Sequence, residues 1–494
     1  MQVSATDAYR VYRPSNCELR LYLHHHGIEA AGPGPFEEVI RSLGERHERR
    51  HLATFPDVLD LRTGTTRQRH DATLEAIRQH APVLYQSLFW VTARLGEREC
   101  EIVGSPDLLL LQENGTYVIR DVKIARRINH HPEIIWQLRI YGWLYERAVG
   151  KPAARLEIYN GAGEIVAVEP VASNELECEL SRYVQVIEAT EAPFAPVGWT
   201  KCGNCGYHER CWTAAEDAHD VALVPKVDQG LVFALRETGV VTYEDLLARF
   251  NENELAALRR GHGKRTSKVG KAAATILRSA EALAYGRAIV IQSPVIPRSP
   301  NYAMFDLEGL PPQLDELEKI YLWGIQVYGA APSEYLGATA AFDPDGDRDG
   351  WASFLSNARW VLQHFGDIPF VHWHHYERMK LDLYVQRYGD RDGIASRVRA
   401  NLFDLLPATQ KAVALPLSSY SLKAVERYIG FGRSQTEYGG DWAMARYIEA
   451  IETSDEKLQQ KLLSDIMTYN REDLAATWAV LCWLRDLGRR VCEG

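Results

Sequence analysis

The stretch Gly104-Ser105-Pro106-Asp107, followed by Asp121-Val122-Lys123 and then Gln137-x-x-x-Tyr141, sets the reading of this chain. Glu101 to Leu111 is mostly apolar and Gly115 to Ile124 alternates with β-branched residues, so both read as strands, joined by a turn at Glu113-Asn114-Gly115. If Gly115 is left-handed in a three-residue loop, Gln112 faces Thr116, and counting back along the ladder sets Asp107 opposite Asp121. Lys123 lies two residues beyond Asp121, so the pleat points it to the same face. Two carboxylates and one ammonium are expected to converge.

That trio has a chemical logic. Two close carboxylates repel each other unless a cation neutralises them, and a hard divalent ion such as Mg²⁺ or Mn²⁺ prefers oxygen ligands. Such an ion acidifies a bound water and stabilises charge on phosphoryl oxygens, while Lys123 is placed to hold the hydroxide in line with phosphorus. Gln137 and Tyr141, at i and i+4 of the next helix, form one polar face for substrate or for Lys123. The chemistry to expect is metal-dependent hydrolysis of a phosphodiester.

The ordered set resembles the RecB-type branch of the PD-(D/E)XK nucleases, in which a helix bearing Gly-x-x-His precedes the acid hairpin and Gln-x-x-x-Tyr follows it. Gly44-Glu45-Arg46-His47, in the helical stretch Phe36 to Leu52, stands at that first place. The resemblance implies that His47 is a metal ligand beside Asp107 and Asp121. It bears on the cysteines too. Cys202-x-x-Cys205-x(5)-Cys211, with Cys17 far upstream, is a four-thiol set whose spacing suits either zinc or an iron–sulfur cluster. The resemblance favours a [4Fe–4S] cluster that clamps the domain shut. Tying Cys17 to the residues near Cys205 closes a very long loop, a restriction of the unfolded chain on the order of several kcal/mol. Cys100, Cys178, Cys482 and Cys492 show no ligand spacing.

With 494 residues the chain has length for two or three domains. The net charge of −10 counts against a nucleic-acid binder that uses its whole surface, so any such contact is local. Two stretches could supply it: Lys123, Arg126, Arg127, His130 and His131 after the hairpin, and the run from Arg259 to Arg278, which contains no acid. No opening segment reads as a signal peptide and no apolar run is long enough to span a bilayer, so a cytoplasmic, membrane-free protein with reduced thiols is expected.

Residues 215–291 read as helical throughout and are similar to helix–hairpin–helix modules, through Gly239-Val-Val-Thr242 and Ser267-Lys-Val-Gly270-Lys271; a plain spacer accounts for them equally. Proline-punctuated Gln292 to Pro300 then opens a third region. There Tyr302 to Leu307 and Tyr321 to Tyr328 read as paired strands, with Asp306 and Glu308 on one face. Tyr469-Asn-Arg-Glu-Asp473 reads as the opening of a helix that runs to Leu484. This pattern resembles the RNase H-like DEDD exonucleases of the tyrosine-bearing type, and Ser419-Tyr-Ser-Leu-Lys423 with Tyr428-Ile-Gly430 matches a stretch of that family. The resemblance implies two metals held by Asp306, Glu308, a middle acid and Asp473, with Tyr469 orienting the water. The middle motif departs from the family: His372-Trp-His-His-Tyr376-Glu377 offers Glu377 where an Asp is usual, and Asp404 is a substitute whose expected role is structural.

The expectation is therefore an α/β protein with a restriction-endonuclease-like domain (1–214), a helical connector (215–291) and an RNase H-like domain (292–494). It would be a two-site nuclease hydrolysing DNA from an end, with RNA open for the third domain, the basic connector guiding a strand, and a helicase or CRISPR-type defence partner. The rival reading is a DNA-end-binding scaffold in repair or defence with one or both sites inert.

Overall fold

The computed structural model describes the chain except residues 14–15, 199–201, 204, 263–264, 312–317, 342–344, 436–438 and 494. The side chains of 35, 262 and 490–493, and with them Cys492, also lie outside the described set. Apart from short pieces at the boundaries, two compact units divide the chain, Met1–Pro196 with Thr200–Cys211, and Trp212–Pro311 with Leu317–Gly494. The expected connector 215–291 lies in the second of these.

In the first unit, β1 (Gln2–Ser4), α1 (Asp7–Tyr12), α2 (Glu18–His25) and α3 (Pro35–Leu52) precede a strand-rich centre. After β2 (Val58–Asp60), α4 (Thr66–Arg78) and β3 (Val83–Tyr85) come β4 (Phe89–Leu95), β5 (Arg98–Gly104), β6 (Leu108–Leu111) and β7 (Tyr117–Val122). Then follow α5 (Pro132–Val149), β8 (Arg155–Tyr159), β9 (Ile165–Val168) and α6 (Ser173–Ile187). Two sheets result, one ordered β2-β3-β6-β7-β8-β9 and one ordered β1-β5-β4.

The expected long strand from Glu101 to Leu111 is corrected here: β5 pairs with β1 and β4 in the smaller sheet, and only β6 joins β7. Pro106 has no N–H to give a ladder, so the chain leaves one sheet at Gly104 and enters the other at Leu108. The turn itself is as expected: Gly115 has φ +73° and Gln112 N donates to Thr116 O at 2.8 Å. Leu108, Leu109 and Leu110 are buried in the sheet's centre, as a strand covered on both faces requires. β7 and β8 are parallel, and α5 makes the crossover between them with Ile134, Leu138, Ile140 and Leu144 in the core.

Early in the second unit, after the end of the helix His208–Asp217 and a short helical turn at Val221–Leu223, come helices at Gln229–Glu237, Tyr243–Arg249 and Glu252–Ala257, each capped by the side chain preceding it (Asp228, Thr242, Asn251). The helical reading then fails. Arg259 to Lys268 forms a two-stranded antiparallel ribbon, β10 (Arg259–His262) and β11 (Arg265–Lys268). Too few apolar residues occur there to give a helix a buried face, whereas the hydrogen bonds of a ribbon need none. A helix, Ala272–Tyr285, follows it.

Beyond β12 (Ile289–Val290) lies a sheet of β13 (Asn301–Gly309), β14 (Ile320–Gly329), β15 (Leu336–Thr339), β16 (Phe370–His372) and β17 (Leu402–Asp404), ordered β15-β14-β13-β16-β17. A small pairing joins β12 to β18 (Val413–Ala414). One face of the sheet buries Phe305, Trp323, Trp351, Phe354 and Tyr384; the other packs on the last helix through Met304, Val371, Leu474 and Leu481. That helix spans Glu456–Glu493, so Tyr469 sits in its interior and not at its start. Among the described residues no helix is long and apolar enough to cross a membrane.

Candidate active sites

In the first unit, β6 and β7 pair Leu108 with Arg120, which places Asp107 across from Asp121 just beyond the ladder's end. Asp107 N donates to Asp121 Oδ1 at 3.2 Å, and Asp107 Oδ2 accepts from Val122 N at 2.8 Å. Lys123 Nζ lies 2.8 Å from Asp121 Oδ2. That oxygen is buried and has no hydrogen-bond partner besides this ion-pair contact. Burial, and next the charge of Asp121, push the Asp107 carboxyl well above its ordinary range. For Lys123, burial opposes the charged form, but Asp121, Tyr9 and Asp107 outweigh it and hold the amine protonated. A carboxylate pair with a buried oxygen met only by the Lys123 ammonium is a donor set suited to a hard cation.

Tyr141 joins this group: it is buried, and burial followed by the nearby Asp121 raises its hydroxyl well above the usual range. A Cβ on Gly104 would come 2.8 Å from the Tyr141 ring, so glycine there leaves room for it. Gln137, one turn before Tyr141, is buried with Oε1 lacking a partner. His47 is on α3 as expected, but its ring bonds to the backbone of Tyr159 and Asn160 and stacks at 5.0 Å on Tyr159. Burial lowers its pKa, and Nε2 is enclosed without a partner.

The adjoining residue, Glu48, is the part of this site that sequence reasoning missed. Gln86 Nε2 bridges Glu48 Oε1 at 3.1 Å and Asp107 Oδ1 at 2.8 Å, and Tyr85 OH donates to the same Glu48 oxygen at 2.8 Å. Gln86 itself has φ +53°, a strained backbone for a residue other than glycine. No spacing signal marks Glu48 in so charged a helix.

The second unit gathers Asp306, Glu308 and Asp473 so that one carboxylate oxygen from each lies within 4.8 Å of the others. Asp306 and Glu308 share a face of β13, and Asp473 comes from the last helix. Burial, then the charge of Asp473, raises both strand acids, Asp306 well above its usual range and Glu308 to about 8. Tyr469, one turn before Asp473, accepts a 2.7 Å bond from Lys423 Nζ. Lys423, Asn470 and Arg433 complete the surroundings and were absent from the expected site. Asn470 Nδ2 donates to Asp306 Oδ2 at 2.7 Å, and Arg433 bonds Asp473 while holding both oxygens of Glu426 at 2.7 Å. The Lys423 stretch was visible in the sequence, whereas nothing local points to Asn470 or Arg433.

Glu377 is not one of the acids whose oxygens meet within 4.8 Å, although its charge helps to raise both Asp306 and Glu308. It is buried at the start of the helix Tyr376–Tyr388, and its Oε2 is 3.1 Å from His372 Nδ1. Asp404 accepts from the backbone N–H of His374 at 3.0 Å and of Leu406 at 3.1 Å, the structural capping role expected of it.

Residues 22–212 match a family model for the PD-(D/E)XK nuclease superfamily, and residues 303–485 match one for the RNase H superfamily. The chain carries a domain of each superfamily. No curated protein matches it. Among solved structures, one titled "Crystal structure of SSO0001" is 16% identical, matches over 35% of this chain and 96% of its own, and has a TM-score of 0.20.

The four thiols all lie in the PD-(D/E)XK unit. Cys205 N bonds Cys202 O at 2.9 Å and Cys211 N bonds Tyr207 O at 3.0 Å, so successive turns carry the three late cysteines. Burial, with the neighbouring thiols adding to it, raises Cys17 and pushes Cys211 up to about 12. Among the described residues no three thiols come within 4.8 Å of one another. Backbone turns bring the cysteines to one neighbourhood, and only a bound ion would draw their sulfurs together.

Proposed function

We propose that this protein is a two-site, metal-dependent nuclease that hydrolyses DNA, working from an end. The observation that carries the reading is the presence of two separate carboxylate clusters, Asp107–Asp121 beside Lys123 and Asp306–Glu308–Asp473 beside Tyr469. Each lies within a domain of a nuclease superfamily.

Divalent Mg²⁺ or Mn²⁺, bound by these acids, would supply Lewis acidity toward the phosphate and lower the pKa of water. In the PD-(D/E)XK domain Asp107 and Asp121 would hold the ion, with His47 Nε2 as a further donor. Lys123 positions the attacking oxygen, and Tyr141 and Gln137 close the wall behind it. In the RNase H domain Asp306, Glu308 and Asp473 would hold the ions, and the Tyr469 hydroxyl, fixed by Lys423, orients water. Glu377 is held by His372, so the ion-binding role is assigned to Asp306, Glu308 and Asp473 without it.

We further read the four thiols as ligands of an iron–sulfur cluster of the RecB type. What supports the reading is the placing of one early and three late cysteines in the same unit, with Cys17, Cys202 and Cys205 near enough to feel one another's charge.

End-labelled DNA with Mg²⁺ or Mn²⁺ tests the proposal on wild type, Asp121→Ala, Asp306→Ala and the double variant. Each single variant is expected to lose one class of product and the double variant all release. Equal product release from all four proteins defeats the reading.

A further inference from the structure

The ribbon β10–β11 concentrates positive charge in an arrangement that folding alone does not favour. Arg259 pairs directly with Lys268 across the ladder, and like charges so placed repel. Arg259, Arg265, Thr266, Ser267 and Lys268 are all exposed, and the next exposed cations, Lys271 and Arg278, follow on the helix Ala272–Tyr285 and its cap. From Arg259 to Arg278 the chain places no acid.

The base of the ribbon, by contrast, is fixed. A Cβ on Gly230 would lie 2.0 Å from Gly261 O, so the helix Gln229–Glu237 and β10 are in backbone contact. On the face opposite Arg259, Arg260 reaches back to Asp228 at 2.7 Å. The same Asp228 caps that helix through Leu231 N. One arginine is therefore used to anchor the ribbon; on the other face Arg259, whose guanidinium donates to Thr266 Oγ1 at 2.7 Å, stands beside Lys268, while exposed Arg265 lies at the far end of the ribbon on Arg260's face.

We propose that this ribbon docks on duplex DNA, with Arg259, Arg265 and Lys268 contacting phosphates. A cationic two-stranded ribbon fits the wide major groove of B-form DNA, whereas the deep, narrow major groove of A-form RNA excludes it. A phosphate between Arg259 and Lys268 also turns their repulsion into a shared contact. The inference rests on the reading of this protein as acting on DNA, and it specifies a duplex held at a place other than the acid sites.

Binding of a blunt DNA duplex to the full chain in EDTA, where hydrolysis does not enter the reading, tests it as a function of salt. The triple variant Arg259→Gln, Arg265→Gln, Lys268→Gln is expected to bind on the order of tenfold or more weakly and to lose about one unit of log–log salt slope per removed contact. A charge-keeping variant, Arg259→Lys with Arg265→Lys and Lys268→Arg, restores the slope and shows that lost folding is not the cause. An unchanged slope in the triple variant, absence of duplex binding by the wild type, or loss confined to single-stranded DNA or RNA overturns the proposal. A protein that binds the duplex through this ribbon yet releases no product would defeat the nuclease reading and leave this one standing.

Discussion

Gly324 lies directly across the β13–β14 ladder from Asp306, and the space its missing side chain leaves is taken by the Asn470 amide. An added Cβ would come within 1.8 Å of Asn470 Oδ1. Asn470 uses this room to bond Asp306 Oδ2 while accepting from Tyr335 OH at 2.9 Å. The orientation of one acid therefore depends on a glycine of the neighbouring strand.

Gly324→Ala should drive Asn470 away and leave Asp306 turned out of line. Overpacking of this kind costs about 1–3 kcal/mol. Cleavage by the RNase H domain, measured in an Asp121→Ala background, is expected to fall by on the order of a hundredfold. A variant with wild-type melting and full activity would show that Asn470 does not orient the acid.

Lys423 and Tyr469 act as a unit in this view, since the amine donates to the hydroxyl at 2.7 Å and lies 4.8 Å over its ring. Lys423→Ala and Tyr469→Phe should each slow the same site by roughly 10–100-fold. The double variant is expected to be little worse than either single one. Multiplying losses in a kinetic cycle would separate the two roles.

His51 provides a pH test of the first unit. Burial, then the charges of Arg120 and His47, lower its pKa to about 4, while the unfolded ring titrates near 6.5. The unfolded chain thus binds the proton first as pH falls. Stability is whole above about pH 6.5, declines as pH drops toward 4, and the loss is complete below the folded value. His51→Gln should flatten that segment by on the order of 1–2 kcal/mol. Denaturant melts of both proteins from pH 7 to pH 4 would reveal it, and parallel curves would refute it.

Protein purified without oxygen should be brown, with iron bound and absorbance near roughly 400 nm from sulfur-to-iron charge transfer. Cys17→Ser is expected to lose most of the iron and to melt earlier, because the link between the chain's start and Cys202–Cys211 goes with it. Zinc in place of iron by elemental analysis would end the cluster assignment.

The acid hairpin was legible in the sequence because strand geometry is local. A period of two and a left-handed Gly115 fix which residues face each other, and the register Leu108–Arg120 follows by counting. Asp306 and Glu308 on one strand, and Tyr469 with Asp473 on one helix turn, were legible for the same reason. The ribbon at Arg259–Lys268 was misread because a short polar run carries no period to tell strand from helix. Pro106 was present to see, but which sheet each flanking strand would join was not.

By itself, then, the sequence determined the two superfamily domains, the facing of Asp107 and Asp121, and the acids that share a strand or a helix turn. Only the tertiary structure decided that Glu48, next to His47, is the α3 residue joined to Asp107 through Gln86, that Asn470 and Lys423 hold the second site, and that Asp473 meets β13 at all. The physical reason is range: backbone periodicity sets which neighbours along the chain share a face, whereas the rotation of a helix about its axis is set by packing against residues far away in sequence.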